Sequence, residues 1–355
     1  MTSVLQGGRR RRGPSVRLVR LLVLLAPVAV AIAVLAGFNH GGSAPHAGTT
    51  PAQAQQTVRI DTTPAVSFLA LYAAEQLGYF KTEGVTAQFA DFEGGAEVTT
   101  AMVGGSIDMG GTYIERPMIL AEKGFGAKNL LAILNRNPIF LVVKKNLAVT
   151  DVKGLKGTKL GMTRAGSATD LALRALLKDA GLEPDRDVAL IAVGSSTSAA
   201  AALRAGQIDG FMGGEPGGAI VVHQLKLGRY FIEPMRDQGP PFLRNMTFPT
   251  LQTSDRLIQS NPQMVERAVR AVVKTQKRLR DDPDAAVSVA QKMFPALDVE
   301  LLRNIIAVYR KAYFPAITEE ALRTVNQYQK QAGVVKSDFA YDKMVAVQYK
   351  TLWGQ

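Results

Sequence analysis

The sequence predicts an α/β protein of two similar lobes, each a mainly parallel sheet flanked by helices, and three observations carry that expectation. Short β-type runs alternate with helical ones from Thr57 to about residue 250. A parallel sheet needs that order, because each strand must be followed by a crossover, usually a helix. Ala101-Met102-Val103-Gly104-Gly105-Ser106-Ile107-Asp108 aligns without gaps on Ala202-Leu203-Arg204-Ala205-Gly206-Gln207-Ile208-Asp209, 101 residues later. Each copy reads as a helix end, a glycine stop, a polar residue and a strand start, so one supersecondary unit occurs once in each half. Finally, 355 residues, 47% hydrophobic and 20% charged, supply the apolar material for about two ordinary domains and exclude wholesale disorder.

Strands are expected at Val58 to Ile60, Thr86 to Phe89, Ile107 to Met109, Leu130 to Leu134, Ile139 to Lys144, Lys159 to Thr163, Val188 to Val193 and Ile208 to Met212. The clearest helix runs from Ala168 to Ala180. Leu173, Leu176, Leu177 and Ala180 fall at i, i+3, i+4 and i+7, Ser167 stands as N-cap and Gly181 as the stop. After about residue 250 strands are expected to cease. Helices come next, with Asn261, Asp298 and Thr318 as N-caps, Pro262 at a first helical position and Gly333 as a stop.

The chain has no Cys, which excludes a disulfide framework, a zinc finger, an iron–sulfur cluster, a thiol nucleophile and a bacterial lipoprotein anchor. The three histidines are His40, His46 and His223. The net charge of +12 suggests nucleic acid until it is located. Residues 1–54 hold six Arg and no Asp, Glu or Lys, leaving 36 basic against 30 acidic residues in the rest. A basic stretch to Arg20, an apolar run from Leu21 to Phe38 and a polar, small-residue stretch to Gln56 have the layout of an export signal. Residues 1–54 are therefore expected to direct export. They are cut after Ala54 (Ala52-Gln53-Ala54) or after Ala44, or kept as an anchor, since an 18-residue apolar run approaches the length of a membrane span. Arg11-Arg12 suits the twin-arginine route and Gly13-Pro14-Ser15 does not, so the route stays open. Either way the body is expected outside the cytoplasm, in a periplasmic or other extracytoplasmic space.

P-loop, nucleophile-elbow, H-E-x-x-H and dinucleotide glycine motifs are absent, which leaves carboxylate-only catalysis untouched by motif search. A set of turns between strand ends and helix starts stands out instead. Arg164, Gly166 and Ser167 lie in one such turn, where free N–H groups and the helix dipole suit an anionic group. Gly94 and Gly95 offer a similar nest in the first half. Thr63 and Ser67 bracket the turn after the first strand, and Thr112 and Tyr113 come after Gly110-Gly111. Ser195 opens the Ala-rich helix. Glu215, in Gly213-Gly214-Glu215-Pro216, can accept from an amino group, coordinate a cation or pair with Arg164. Each also has a plainer reading as cap, turn or packing residue.

Leu71-Tyr72-Ala73-Ala74-Glu75-Gln76-Leu77-Gly78-Tyr79-Phe80-Lys81-Thr82-Glu83-Gly84-Val85 resembles a signature of ABC-transporter substrate-binding proteins for nitrate, sulfonate, taurine, bicarbonate and thiamine-precursor pyrimidines. Gly94-Gly95, Gly105-Ser106-Ile107-Asp108, Asp151 to Gly157, Gly166-Ser167 and Gly206-Gln207-Ile208-Asp209 agree in order, over roughly residues 57–290. The resemblance implies a type II periplasmic-binding-protein-like fold, with two hinge crossings near Asn135 to Pro138 and Arg244 to Phe248. Residues 57–138 plus 246–355 would form lobe 1 and residues 139–245 lobe 2. Asn137, in the first crossing, joins the ligand-binding candidates. It further implies a monomeric binder without catalysis, cofactor or metal, whose partners are a small-molecule solute and a membrane permease with its separate ATPase, and not nucleic acid. A ligand-sensing module and a carboxylate-based enzyme in the same cleft are the alternatives. Gly214-Glu215-Pro216 is similar to the G-E-P-W turn of nitrate and bicarbonate members, but Gly217 replaces the Trp. An inward Glu215 without a cation would repel nitrate, which favours a sulfonate bearing an amine or a nitrogen heterocycle. A related eukaryotic branch makes thiamine pyrimidine from its own His with Cys-rich motifs, and the lack of Cys argues against that chemistry here.

Overall fold

The β-type runs pair into two five-stranded sheets among the residues described by this computed structural model, which are 56–62, 64–92 and 94–354. The expected export signal and Thr63 lie outside the described residues. In chain order the strands are β1 (Gln56–Thr62), β2 (Val85–Asp91), β3 (Met109–Tyr113), β4 (Ala127–Ala132), β5 (Phe140–Lys144), β6 (Lys159–Met162), β7 (Ala189–Ala192), β8 (Gly210–Gly213), β9 (Gly228–Ile232) and β10 (Pro249–Ser254). The first sheet runs β2-β1-β3-β10-β4 and the second β7-β6-β8-β5-β9. In each, the strand in the fourth place runs against the rest: β10 is antiparallel to β3 and β4, and β5 to β8 and β9. The remaining pairs, β1 with β2 and β3 and β6 with β7 and β8, are parallel. The two sheets therefore share one pattern, as the internal repeat requires.

The helices are α1 (Leu69–Gln76), α2 (Tyr79–Thr82), α3 (Gly95–Val103), α4 (Arg116–Ala121), α5 (Ala168–Asp179), α6 (Ser196–Arg204), α7 (Gly217–Ala219), α8 (Pro241–Asn245), α9 (Asp255–Ser260), α10 (Pro262–Asp281), α11 (Pro283–Met293), α12 (Val299–Tyr309), α13 (Glu319–Gln331) and α14 (Tyr341–Met344). Their starts obey local chemistry. Side chains of Ser167, Asn261, Asp298 and Thr318 each accept a backbone N–H in the first turn of α5, α10, α12 and α13. Gly181 and Gly333 take positive φ just past α5 and α13, where only glycine is unstrained. Apolar faces of α1 and α10 to α12 pack with the first sheet in one core, and β5, β6 and α5 build the core of the second lobe. No helix of the described residues is long and apolar enough to cross a membrane.

The repeat fixes matching joints. Gly105 and Gly206 both lie at φ near +75° after α3 and α6. Asp108 then accepts the N–H of Arg59 on β1 at 2.8 Å, and Asp209 that of Lys159 on β6 at 2.9 Å. The bonds are returned, Asp108 N–H to the Arg59 carbonyl and Asp209 N–H to the Lys159 carbonyl. Arg59 and Lys144 complete ion pairs with these carboxylates at 2.7 Å.

Three expectations need correction. The third strand begins at Met109, not Ile107, and its Gly110-Gly111 belongs to the strand rather than a turn. A Cβ there would meet Val98 at 2.6 Å and Leu71 at 2.7 Å, so close packing demands glycine. β9 was not expected. Nor was β10, the last strand, which begins at Pro249 and lies inside its sheet, between β3 and β4, although it is polar. Thr250 and Gln252 are buried because both reach the Asn129 side-chain oxygen, at 2.7 and 2.9 Å. That network satisfies polar groups that would otherwise exclude the segment from a core.

A cleft at the carboxyl ends of both sheets

The chain passes between the sheets twice, through residues 133–139 and 233–248. A cavity of about 500 Å³ opens between the lobes, lined by residues at and beyond the ends of β1, β2 and β3 on one side and of β6, β7 and β8 on the other. These are the carboxyl ends of matching parallel strands, where α/β sheets leave room for ligands. α3, α5 and α6 each point their first residue, Gly95, Ala168 and Ser196, at this space. Three positive helix ends thus converge on a lining that has no Lys or Arg among the described residues.

From the first lobe, the candidates Ser67, Gly94, Gly95, Thr112 and Tyr113 line the cavity. Gly95 is required by fit, since a Cβ would lie 2.2 Å from Thr112 Oγ1. Phe68, Phe92, Asp91 and Glu97 also line it and were missed. Phe68 meets Tyr113 edge to face, 6.1 Å between centroids. Burial pushes the Tyr113 phenol up, with Glu115 adding to the effect, so it stays protonated as a donor.

From the second lobe, Ser167 and Ser195 line the cavity and are also N-caps, accepting from Asp170 N–H at 3.3 Å and Ser198 N–H at 3.1 Å. Thr163, Thr169 and Ser196, the residue next to Ser195 in the same turn, line it as well. Thr163, Ser167 and Thr169 form a triangle of hydroxyls with edges of 2.8, 2.8 and 2.9 Å. Ser196 Oγ takes the N–H of Gly214 at 2.9 Å. A signal for these residues existed in their position, one or a few places beyond a strand end.

Four candidates sit elsewhere. Asn137 is fully buried and ties the two passages, donating to the Leu243 carbonyl at 2.6 Å and accepting from Ile139 N–H at 3.0 Å. Gly166 does not line the cavity; at φ +73° it turns the loop, and its carbonyl takes a bond from Arg116 of the first lobe at 2.6 Å. Arg164 forms an ion pair with Glu97 across the mouth. It therefore does not pair with Glu215. The Glu215 carboxyl turns away from the cleft, 5% exposed, accepting from Ala219 N–H at 2.9 Å and from the Tyr230 hydroxyl. Among the described residues no group of three or more His, Asp or Glu is placed to hold a metal ion.

The geometry is that of a shared-lobe pocket: three aromatic rings, many hydroxyls, three helix ends, two carboxylates and no lining Lys or Arg among the described residues. Known proteins are related in sequence and in fold. The chain is 24% identical over 284 residues to the 4-amino-5-hydroxymethyl-2-methylpyrimidine phosphate synthase of Aspergillus parasiticus, covering 76% of this chain and 80% of that one. It is also 24% identical to the riboflavin-binding protein RibY of Chloroflexus aurantiacus, over 74% of each chain. A solved ligand-binding component of an ABC-type import system from Staphylococcus aureus, with zinc bound, superimposes with a TM-score of 0.68 at 18% identity, over 85% of this chain and 99% of that one. The fold is therefore the two-lobed α/β fold of periplasmic binding proteins. The profile of the NMT1-like family matches residues 51–293, well over half of the chain, and the protein belongs to that family.

Proposed function

We propose that this protein is the exported solute-binding component of an ABC importer, and that its cleft captures an uncharged, flat nitrogen heterocycle of the pyrimidine class for delivery to a membrane permease. The lining carries the reading. Phe68, Phe92 and Tyr113 offer ring faces and edges, while hydroxyls and three helix ends offer donors to ring nitrogens and carbonyl oxygens. The described lining holds the carboxylates Asp91 and Glu97 and no Lys or Arg, and Arg164 at the mouth is engaged with Glu97, which favours a neutral ligand over nitrate or a sulfonate. The names of two relatives, a pyrimidine phosphate synthase and a riboflavin-binding protein, point to the same ligand chemistry. Binding rather than synthesis is favoured because the chain has no Cys and His223 lies in a groove against α12, away from the cleft.

A thermal-shift panel of an aminopyrimidine, riboflavin, taurine, an alkanesulfonate, nitrate and bicarbonate tests this. A cognate ligand at 100 times its Kd adds about 2.7 kcal/mol, enough to raise Tm by several degrees. A shift with a heterocycle alone is expected. A shift only with nitrate or a sulfonate contradicts the ligand class, and recovery of chemically altered heterocycle contradicts the binding role.

A further inference from the structure

Glu215 occupies a joint between the lobes that the ligand cleft does not use. It comes directly after cleft-lining Gly214, and its carbonyl accepts the N–H of Val66 from the first lobe at 3.0 Å. Its carboxyl lies in a separate small cavity of about 30 Å³, room for one or two waters. Leu301, Ile305 and Tyr309 of α12, an element of the first lobe, wall that cavity, and Ala219, which donates to the carboxylate, is itself packed in the first lobe's core. The charged and titratable groups facing it are Tyr230 of β9, Glu233 and Arg236 just after β9, His223 before β9, and Tyr309. Arg236, the guanidinium among them, is held by Glu233 at 2.8 Å.

We propose that closing the lobes takes up a proton at Glu215, the closed molecule holding the carboxylic acid and the open one the carboxylate. Separation lifts α12 from the carboxyl and admits water, which stabilises the charged form. In the closed form burial pushes the carboxyl up to about 7, against the opposing hydrogen bonds from Tyr230 and Ala219. Since the acid is favoured by closure, closure is strongest at low pH. It weakens as pH rises from the solvated value of 4.5 to about 7 and is flat above that. Between pH 5.5 and 8.5 the closed-to-open ratio should fall roughly thirtyfold.

The absence of Cys makes the test clean. Spin labels at Thr100→Cys on α3 and Thr197→Cys on α6, both exposed, report the width of the mouth by double electron–electron resonance, with no ligand added. The short-distance population should grow on acidification. Glu215→Gln should abolish that response, and Tyr230→Phe, which removes a bond to the carboxylate, should move its midpoint upward. A distance distribution unchanged across pH, or an equal response in Glu215→Gln, overturns the proposal. The proposal rests on the two-lobed fold rather than on the solute, so a failed ligand panel leaves this measurement decisive by itself.

Discussion

Hydroxyl groups crowd the cavity, and most do two jobs. Ser167 and Ser195 cap α5 and α6 while facing the ligand space, but the Ser167 oxygen is already fully engaged by the Asp170 N–H and the Thr163 and Thr169 hydroxyls, and Ser195 bonds both the N–H and the hydroxyl of Ser198. Ring contacts therefore decide affinity more than any one hydroxyl. Phe68→Ala should weaken heterocycle binding by about tenfold, read by isothermal titration, whereas Arg164→Ala should cost under about fivefold because the Glu97 pair is partly exposed at 41% and 34%. The caps were legible in the sequence, since a Ser between a strand and an apolar-periodic helix has one obvious place. The direction of Glu215 was not. Its partner Tyr230 lies 15 residues on, in a strand the sequence did not mark, and Asn137 reaches Leu243, 106 residues away.

The repeated helix–glycine–strand element shows how a local pattern becomes a joint. Asp108 and Asp209 each exchange two bonds with the neighbouring parallel strand, the carboxylate accepting a backbone N–H and the Asp N–H donating to the same residue's carbonyl, which is why Asp recurs at that position. Desolvation raises both carboxyls, but hydrogen bonds and the charges of Arg59 and Lys144 win and hold them below the ordinary 3.8. A depressed carboxylate contributes stability above its unfolded pKa and loses it as pH falls through the folded value. Asp209→Asn should thus cost about 1–2 kcal/mol in urea unfolding at pH 7, a gap that narrows below about pH 4; a gap independent of pH would contradict the ion-pair account. The elements that escaped the sequence are those defined by long-range pairing. β10 is polar, and its buried Thr250 and Gln252 are satisfied by Asn129, more than a hundred residues away in the chain.

At the scale of the molecule, two copies of one sheet pattern face each other, and the chain's double passage lets their strand ends form one pocket. Contacts already span it: Arg164 with Glu97, Arg116 with the Gly166 carbonyl, and Val66 with the Glu215 carbonyl. Alternation and the internal repeat announced this architecture, because both are local in sequence. The pocket's chemistry needed the fold, since its lining comes from six strand ends. Isothermal titration of the purified protein with a 4-amino-pyrimidine, against taurine and nitrate, tests that chemistry most directly. One-site heterocycle binding, lost or weakened about tenfold in Phe68→Ala, is the expected result; saturable binding of nitrate or taurine with none of the pyrimidine would contradict it.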